Sequence, residues 1–325
     1  MLLLNRKDIQ SVFTMKESIE AVKKAFMLYS QGKSEVPLRT NIQASKHNGT
    51  LLFMPAYVED IDCASLKIVP DNVKSGLPTA PAQVLLIDAK TGLVSAVLDG
   101  TYVTQLRTGA ASGAAFDALA RKDAKVGALI GTGGQAATQL EAMLCARNLE
   151  TVRIFDLDPE RLNAFVERMR QELGSYGAEL IAAASSDEAV EGADILVTIT
   201  PSLKPVFNAD KVKPGCTVSC VGAYQPHMQE MDPKILPRAS KIYFDSQSAV
   251  LAESGDIIIP LNDGTISESA FTGELGDVLL GNLVGRENDE EIIVFETVGI
   301  GTQDLMAAKA IYDKAVAAKV GTMWE

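Results

Sequence analysis

The chain has 325 residues, 47% hydrophobic and 22% charged, the proportions of a globular protein long enough for two domains. Its formal net charge of -12, with no block of Lys or Arg to offset it, leaves a surface that repels phosphate backbones, so nucleic acid is not an expected partner. The leucines at the N-terminus are too short a run for a signal peptide and no stretch approaches membrane-spanning length, so no membrane partner is expected and the chain reads as cytoplasmic. Cysteines at 63, 145, 216 and 220 are too scattered for a disulfide framework and form no CxxC pair; they read as reduced core thiols. His47 and His227 cannot supply the usual ligands of a catalytic zinc, and no metal is expected.

Ile19, Val22, Ala25, Phe26 and Tyr29 recur at helical spacing and predict a helix over 18–32 that stops on Gly32. Short β-rich runs follow at 39–43, 50–54, 64–69, 82–88 and 93–99, separated by Gly, Pro, Asn and Asp, and predict an antiparallel sheet with hairpins. The stretch 101–120, dominated by Ala and Gly around Arg107, suits a helix packed closely against another backbone and linking two domains. Strands at 125–130, 151–156, 179–183 and 195–200 then alternate with helices at 135–147, 159–173 and 186–191. That alternation predicts a parallel sheet covered by helices on both faces, which strands at 217–221 and 241–245 extend into a doubly wound α/β fold. A helix over 302–319 finishes the chain.

Gly131-Thr132-Gly133-Gly134-Gln135-Ala136 follows the apolar strand directly and opens the next helix, so the GxGxxA pattern stands in the strand–turn–helix context of a dinucleotide site. Gly131 permits the tight turn, Gly133 lets backbone approach a pyrophosphate, and Ala136 allows close helix packing. The helix N-terminus offers free N–H groups to the anion. Asp156, at the end of the next strand and twenty positions after Ala136, matches the acid that accepts ribose hydroxyls and repels a 2′-phosphate. With Asp158 following and no Arg between them, the expected cofactor is NAD(H) rather than NADP. A residue that merely caps the helix beginning at Pro159 would be Asp158 rather than Asp156.

Further segments carry a family resemblance: PLRTNI at 37–42, LLFMPAY at 51–57, LKIVPDN at 66–72, GLPT at 76–79, LRTGAASG at 106–113, VGAYQP at 221–226, YFDSQSAVLAESGDI at 243–257 and ETVGIGTQDLMAAK at 296–309. Together with the glycine loop they make the chain resemble, nearly end to end, the ornithine cyclodeaminase/mu-crystallin family of cyclodeaminases, alanine dehydrogenases and ketimine reductases. The resemblance implies a Rossmann-type domain over 119–302 inserted in an α+β substrate-binding and dimerisation domain made of 1–118 plus 303–325. The last helix then returns to the N-terminal sheet, and the protein is expected to be a homodimer acting on a small amino-acid-derived carboxylate.

Carried over by position, the resemblance implies that Arg39, Lys67 and Arg107 face the substrate carboxylate and reacting nitrogen, with Lys67 as the catalytic proton donor. Thr79 and Arg107 then serve both substrate and cofactor. Gly134 and Gln135 contact the pyrophosphate, Thr200, Cys220, Val221 and Gly222 line the nicotinamide side, Thr297 lies near the carboxamide, and Val298 near the substrate. A guanidinium suits a carboxylate, and a lysine near other cations has its pKa lowered toward neutrality. By residue type alone, Arg39 and Lys67 read equally as solvated strand residues, Arg107 as one half of a structural ion pair, and Thr200 and Cys220 as core residues at strand ends.

One loop departs from the family pattern. Ornithine cyclodeaminases carry a catalytic aspartate two residues after the VG here at Val221-Gly222, and Tyr224 occupies its place. A phenol with a reference pKa near 10 does not serve as a general base at neutral pH. His227 in the same loop reads as exposed. Reduction of a preformed imine needs only a bound carboxylate, a hydride and one proton, so the loop favours an NADH-dependent reductase of a cyclic ketimine acid, Δ1-pyrroline-2-carboxylate or Δ1-piperideine-2-carboxylate. The competing readings are an ornithine cyclodeaminase or alanine-type dehydrogenase in which Glu59 or Glu230 replaces the aspartate, a non-catalytic mu-crystallin-like binder, and an opine-type synthase.

Overall fold

In the computed structural model, which describes residues 1–47, 49–71 and 81–325, the chain packs as two units: Met1–Arg107 with Ile300–Glu325, and Thr108–Gly299. The first unit begins with strand β1 (Leu2–Leu4) and helices α1 (Arg6–Val12) and α2 (Met15–Ser30). Asn5 with Asp8 and Thr14 with Glu17 form capping boxes that satisfy the first free N–H groups of the two helices. Strands β2 (Ser34–Glu35), β3 (Thr40–Ala44), β4 (Gly49–Val58), β5 (Cys63–Asp71), β6 (Gln83–Asp88) and β7 (Val94–Asp99) follow, then helix α3 (Gly100–Leu119). The last helix of the chain, α10 (Gly301–Ala318), and strand β16 (Thr322–Met323) complete the unit.

Its sheet runs β16-β1-β7-β6-β5-β4-β2 with β3 also on β4, antiparallel except where β1 lies parallel to β7. Helix α10 packs against α1 and α2 and across β4, β5 and β6. Its N-terminus comes so close to β4 that a Cβ on Gly301 would stand 2.8 Å from the Pro55 carbonyl oxygen. The side chains of β5 alternate in burial, Cys63, Ser65, Lys67 and Val69 being buried and the residues between them half-buried. Lys67 therefore points inward from a central strand.

The second unit starts within α3. The family resemblance implied boundaries at 118/119 and 302/303; packing puts them at 107/108 and 299/300. The Ala/Gly-rich stretch after Arg107 goes with the second unit for three reasons. The Thr108 carbonyl accepts from Gln139 Nε2 at 3.1 Å, Ser112 and Ser219 hydroxyls meet at 2.9 Å, and Gly109 lies so close to Thr138 that a Cβ would stand 2.4 Å from its carbonyl oxygen.

Strands β8 (Val126–Ile130), β9 (Thr151–Phe155), β10 (Glu179–Ala182), β11 (Ile195–Thr198), β12 (Thr217–Cys220), β13 (Lys241–Phe244), β14 (Gly273–Glu274) and β15 (Ile293–Glu296) make its sheet. They are parallel throughout, in the order β10-β9-β8-β11-β12-β15-β13-β14, with the order reversing at β8 and β11. Neighbours along one strand feed opposite cores: Leu129, Ile195 and Val197 pack with Leu140, Met143 and Phe165, whereas Ile130 and Leu196 pack with Val218, Phe244 and Val294. Burial on both faces is what a parallel sheet requires, and each such Leu, Ile or Val contributes about 1.5–3 kcal/mol. Helices α4 (Ala136–Ala146), α5 (Pro159–Leu173), α6 (Ser186–Val190), α7 (Gln247–Glu253), α8 (Gly255–Asn262) and α9 (Leu275–Leu280) connect the strands. Among the described residues no helix is long and apolar enough to cross a membrane.

Candidate active site

Lys67 from β5, Arg107 from α3 and Asp304 from the first turn of α10 meet inside the first unit. Lys67 Nζ donates to Asp304 Oδ2 at 2.7 Å, and Arg107 Nε donates to Asp304 Oδ1 at 3.0 Å. Arg107 Nη1 reaches Gln303 Oε1 at 3.3 Å, and the same oxygen accepts the Ile300 N–H at 2.8 Å, fixing the start of α10. All four side chains are buried, Lys67 being only 1% exposed, so the reading of Lys67 as a solvated strand residue does not hold.

Burial, and then the Arg107 charge, push the Lys67 ammonium down to about 7 against the opposing pull of Asp304. The half-buried Arg39 adds to that push. Burial also acts to raise the Asp304 carboxyl, but the charges of Arg107 and Lys67 outweigh it and hold Asp304 below the ordinary carboxylate range. Arg107 makes the ion pair that its residue type alone allowed, with a residue the sequence had not singled out. Thr79 lies outside the described residues.

In the second unit the glycine loop joins β8 to α4. Gly131 adopts φ +104°, and a Cβ there would stand 2.5 Å from the Ile199 carbonyl oxygen, so only glycine fits. Gly133 and Gly134 face open space, with nothing within 4 Å of where a Cβ would stand, while Ala136 is fully buried under the helix. Gln135 Oε1 is buried without a hydrogen-bond partner among the described residues. Room above two glycines and the N-terminus of α4 together fit a pyrophosphate.

Asp156, just past β9, accepts from Thr132 N at 2.9 Å, Thr132 Oγ1 at 2.6 Å and Asp158 N at 3.0 Å, and is paired with Arg161. Burial acts to raise its carboxyl, but the Arg161 and Thr132 hydrogen bonds dominate and bring it to about 2. Asp158 caps α5, accepting from Glu160 N and Arg161 N at 3.1 Å each.

Glu230 organises the loops after β11 and β12. Its Oε1 accepts from Thr198 Oγ1 at 2.8 Å, Val221 N at 3.2 Å and Gly222 N at 2.6 Å, and its Oε2 from Thr200 N at 2.7 Å and Thr200 Oγ1 at 2.8 Å. Gly222 lies so close to Thr200 that a Cβ would stand 2.2 Å from its carbonyl oxygen. Thr297 Oγ1 donates to Asp245 Oδ2 at 2.6 Å, and that oxygen also takes the Gly299 N–H at 2.7 Å, bracketing the buried Val298. Cys220 is wholly buried in the core, its thiol pushed up by burial and by the Glu296, Asp256 and Glu230 carboxyls, so its side chain presents no surface to solvent. Tyr224 is half-buried, and His227 and Glu59 are exposed.

The profile of the ornithine cyclodeaminase/mu-crystallin family matches residues 1–319. The chain belongs to that family. Within it, a Delta(1)-pyrroline-2-carboxylate reductase of Bacillus cereus is 36% identical over 324 residues, 99% of this chain and 98% of its own. The structure of the Thermococcus litoralis Delta(1)-pyrroline-2-carboxylate reductase in complex with NADH and L-proline matches with TM-score 0.94 at 42% identity, covering 100% of both chains. An archaeal alanine dehydrogenase dimer with bound NAD matches with TM-score 0.90 at 35% identity, covering 100% of this chain and 99% of the other.

Asp304, Gln303 and Arg161 were missed by sequence reasoning. A signal existed for the first two: they are polar residues opening a helix that otherwise runs into Leu305, Ala307 and Ala308, all buried.

Proposed function

We propose that this protein is an NADH-dependent reductase of a cyclic ketimine carboxylate, converting Δ1-pyrroline-2-carboxylate to L-proline or Δ1-piperideine-2-carboxylate to L-pipecolate. The observation that carries the reading is the buried Lys67–Asp304–Arg107 cluster. Two cations on one carboxylate leave a positive charge uncompensated inside the cluster, which favours an anionic ligand there. An ammonium near pH 7 can release a proton at neutrality. The two reductase relatives support the same substrate class.

Reduction adds a hydride to the ring carbon of the C=N bond and a proton to its nitrogen. NADH supplies the hydride when bound. Gly131, Gly133, Gly134, Gln135, Ala136 and Asp156 hold the pyrophosphate and adenosine ribose, and Thr200, Val221, Gly222 and Thr297 the nicotinamide side, with Cys220 contributing through its backbone and Val298 toward the substrate. Arg107 and Arg39 pair with the substrate carboxylate. Lys67 gives up its proton and is left as the neutral amine, and Asp304 holds its Nζ in place throughout. Deamination of ornithine has less support: Tyr224 stands where an aspartate is needed, Glu59 is exposed, and Glu230 already accepts from five donors.

The first unit, with Leu38 and Ile42 exposed on it, serves as the dimerisation domain of a cytoplasmic homodimer, a reading the dimeric alanine dehydrogenase supports. The test is NADH oxidation with either ketimine acid beside ammonia release from ornithine or alanine with NAD. Turnover confined to the ketimines upholds the proposal, and ammonia release without ketimine turnover rejects it.

A further inference from the structure

Asp156 lies where the dinucleotide fold meets the adenosine ribose, and it carries more donors than a carboxylate has lone-pair sites. Oδ2 accepts from Thr132 N, Thr132 Oγ1 and Arg161 Nε, the last at 3.3 Å, and Oδ1 accepts from Asp158 N and Arg161 Nη2. A carboxylate offers about four such sites, so two ribose hydroxyls can be accepted only if a present donor leaves.

Thr132 is buried, and two of the donors are backbone amides held by β8, β9 and the cap of α5. Arg161 alone is free to go: its side chain is 55% exposed, against 5% for Asp156, and it sits on a flexible stem in the first turn of α5. An ion pair with so exposed a partner is weak and easily exchanged. Once displaced, the guanidinium remains tethered beside the ribose-binding carboxylate, where an arginine accommodates a 2′-phosphate by bidentate pairing.

We propose that Arg161 is a specificity-determining residue forming a 2′-phosphate subsite, so that the protein accepts both NADH and NADPH instead of rejecting the phosphorylated cofactor through Asp156. Leu157, the one residue between Asp156 and Asp158, gives no hint of this, because the arginine comes from the following helix. The inference rests on the cofactor site proposed above.

Calorimetric titration of the full chain with ADP-ribose and with 2′-phospho-ADP-ribose tests it without turnover. The wild type should bind the two within about tenfold of each other. Arg161→Ala should weaken the phosphorylated ligand by about tenfold or more and leave ADP-ribose unchanged or tighter, while Arg161→Lys retains part of the difference. Asp156→Ala should do the reverse, weakening ADP-ribose and strengthening the phosphorylated ligand. Wild-type binding of ADP-ribose alone, or an equal loss of both ligands in Arg161→Ala, overturns the subsite and leaves the cofactor site standing. Binding of neither ligand by the wild type removes the cofactor site and the subsite together.

Discussion

The Asp304 carboxylate accepts a hydrogen bond from the Lys67 ammonium at 2.7 Å, joining residues 237 positions apart in the chain, with both side chains all but sealed from solvent. Asp304 is thus the positioning residue for the proposed proton donor, and its charge and hydrogen bond favour the protonated lysine. Asp304→Asn keeps the shape and removes the charge. It should lower kcat for ketimine reduction by about a hundredfold and move the alkaline limb of the rate profile to lower pH. An unchanged limb in an otherwise folded variant would show that Asp304 is structural only.

The pH dependence of the wild type follows from the direction of the Lys67 shift. The donor is the protonated form, which burial disfavours, so the proton is available below about 7 and lost as pH rises through it. kcat/KM for reduction should therefore be flat on the acid side of that value and fall above it. Lys67→Met should abolish the limb along with at least about a hundredfold of the rate.

Asp256 and Glu296 form a buried acid pair beside Cys220 in the second unit. Asp256 Oδ1 accepts the Glu230 and Met231 N–H groups at 2.8 and 2.9 Å and Glu296 Oε1 accepts from Ser254 Oγ at 2.7 Å, while each second oxygen is buried without a partner among the described residues. Burial, and then the Glu230 charge, push Asp256 up to about 8, and burial raises Glu296 too. A carboxyl raised in the folded state stabilises fully below its unfolded value, about 3.9, and loses that contribution as pH rises through the folded one. Thermal unfolding should therefore occur at a Tm lower by about 5 °C or more at pH 8.5 than at pH 5. Asp256→Asn, which stays neutral and can donate to Glu296, should flatten the difference. Because Cys220 Sγ and these carboxyl oxygens lie within 4.8 Å of one another, metal analysis belongs beside the unfolding curves: a bound ion would replace the retained protons and remove the slope.

Glu230→Gln separates two roles for that acid. As the organiser of Thr200, Val221 and Gly222, its loss should cost about 2–4 kcal/mol of stability and weaken NADH binding, read by calorimetry and by fluorescence titration. Unchanged Tm and binding, with loss of ammonia release from ornithine, would instead make it the base of a cyclodeaminase.

The local parts of the fold were legible in the sequence. The β-α alternation, the Gly131–Ala136 turn and Asp156 all depend on patterns within some 25 residues, and α5 forms over the same 159–173 read from its periodicity. Strand β15 was missed although its run is wholly buried, because Ile293–Glu296 follows an acidic stretch and enters the sheet between β12 and β13, out of chain order. Long-range pairing of this kind leaves no period in a single sequence. The same holds for the site: only the family resemblance pointed to Lys67 and Arg107, whose residue types alone read as a solvated lysine and a structural ion pair, and their partner Asp304 lies far along the chain. Arg161 was hidden by a shorter reach, a helix turn that brings it back onto Asp156.

The most direct measurement is reduction of Δ1-pyrroline-2-carboxylate with NADH carrying deuterium at the transferable C4 position, followed by analysis of the product. The account predicts L-proline labelled at the α-carbon, with one NADH consumed per proline formed. Absence of labelled proline under conditions where ornithine or alanine yields ammonia would contradict it.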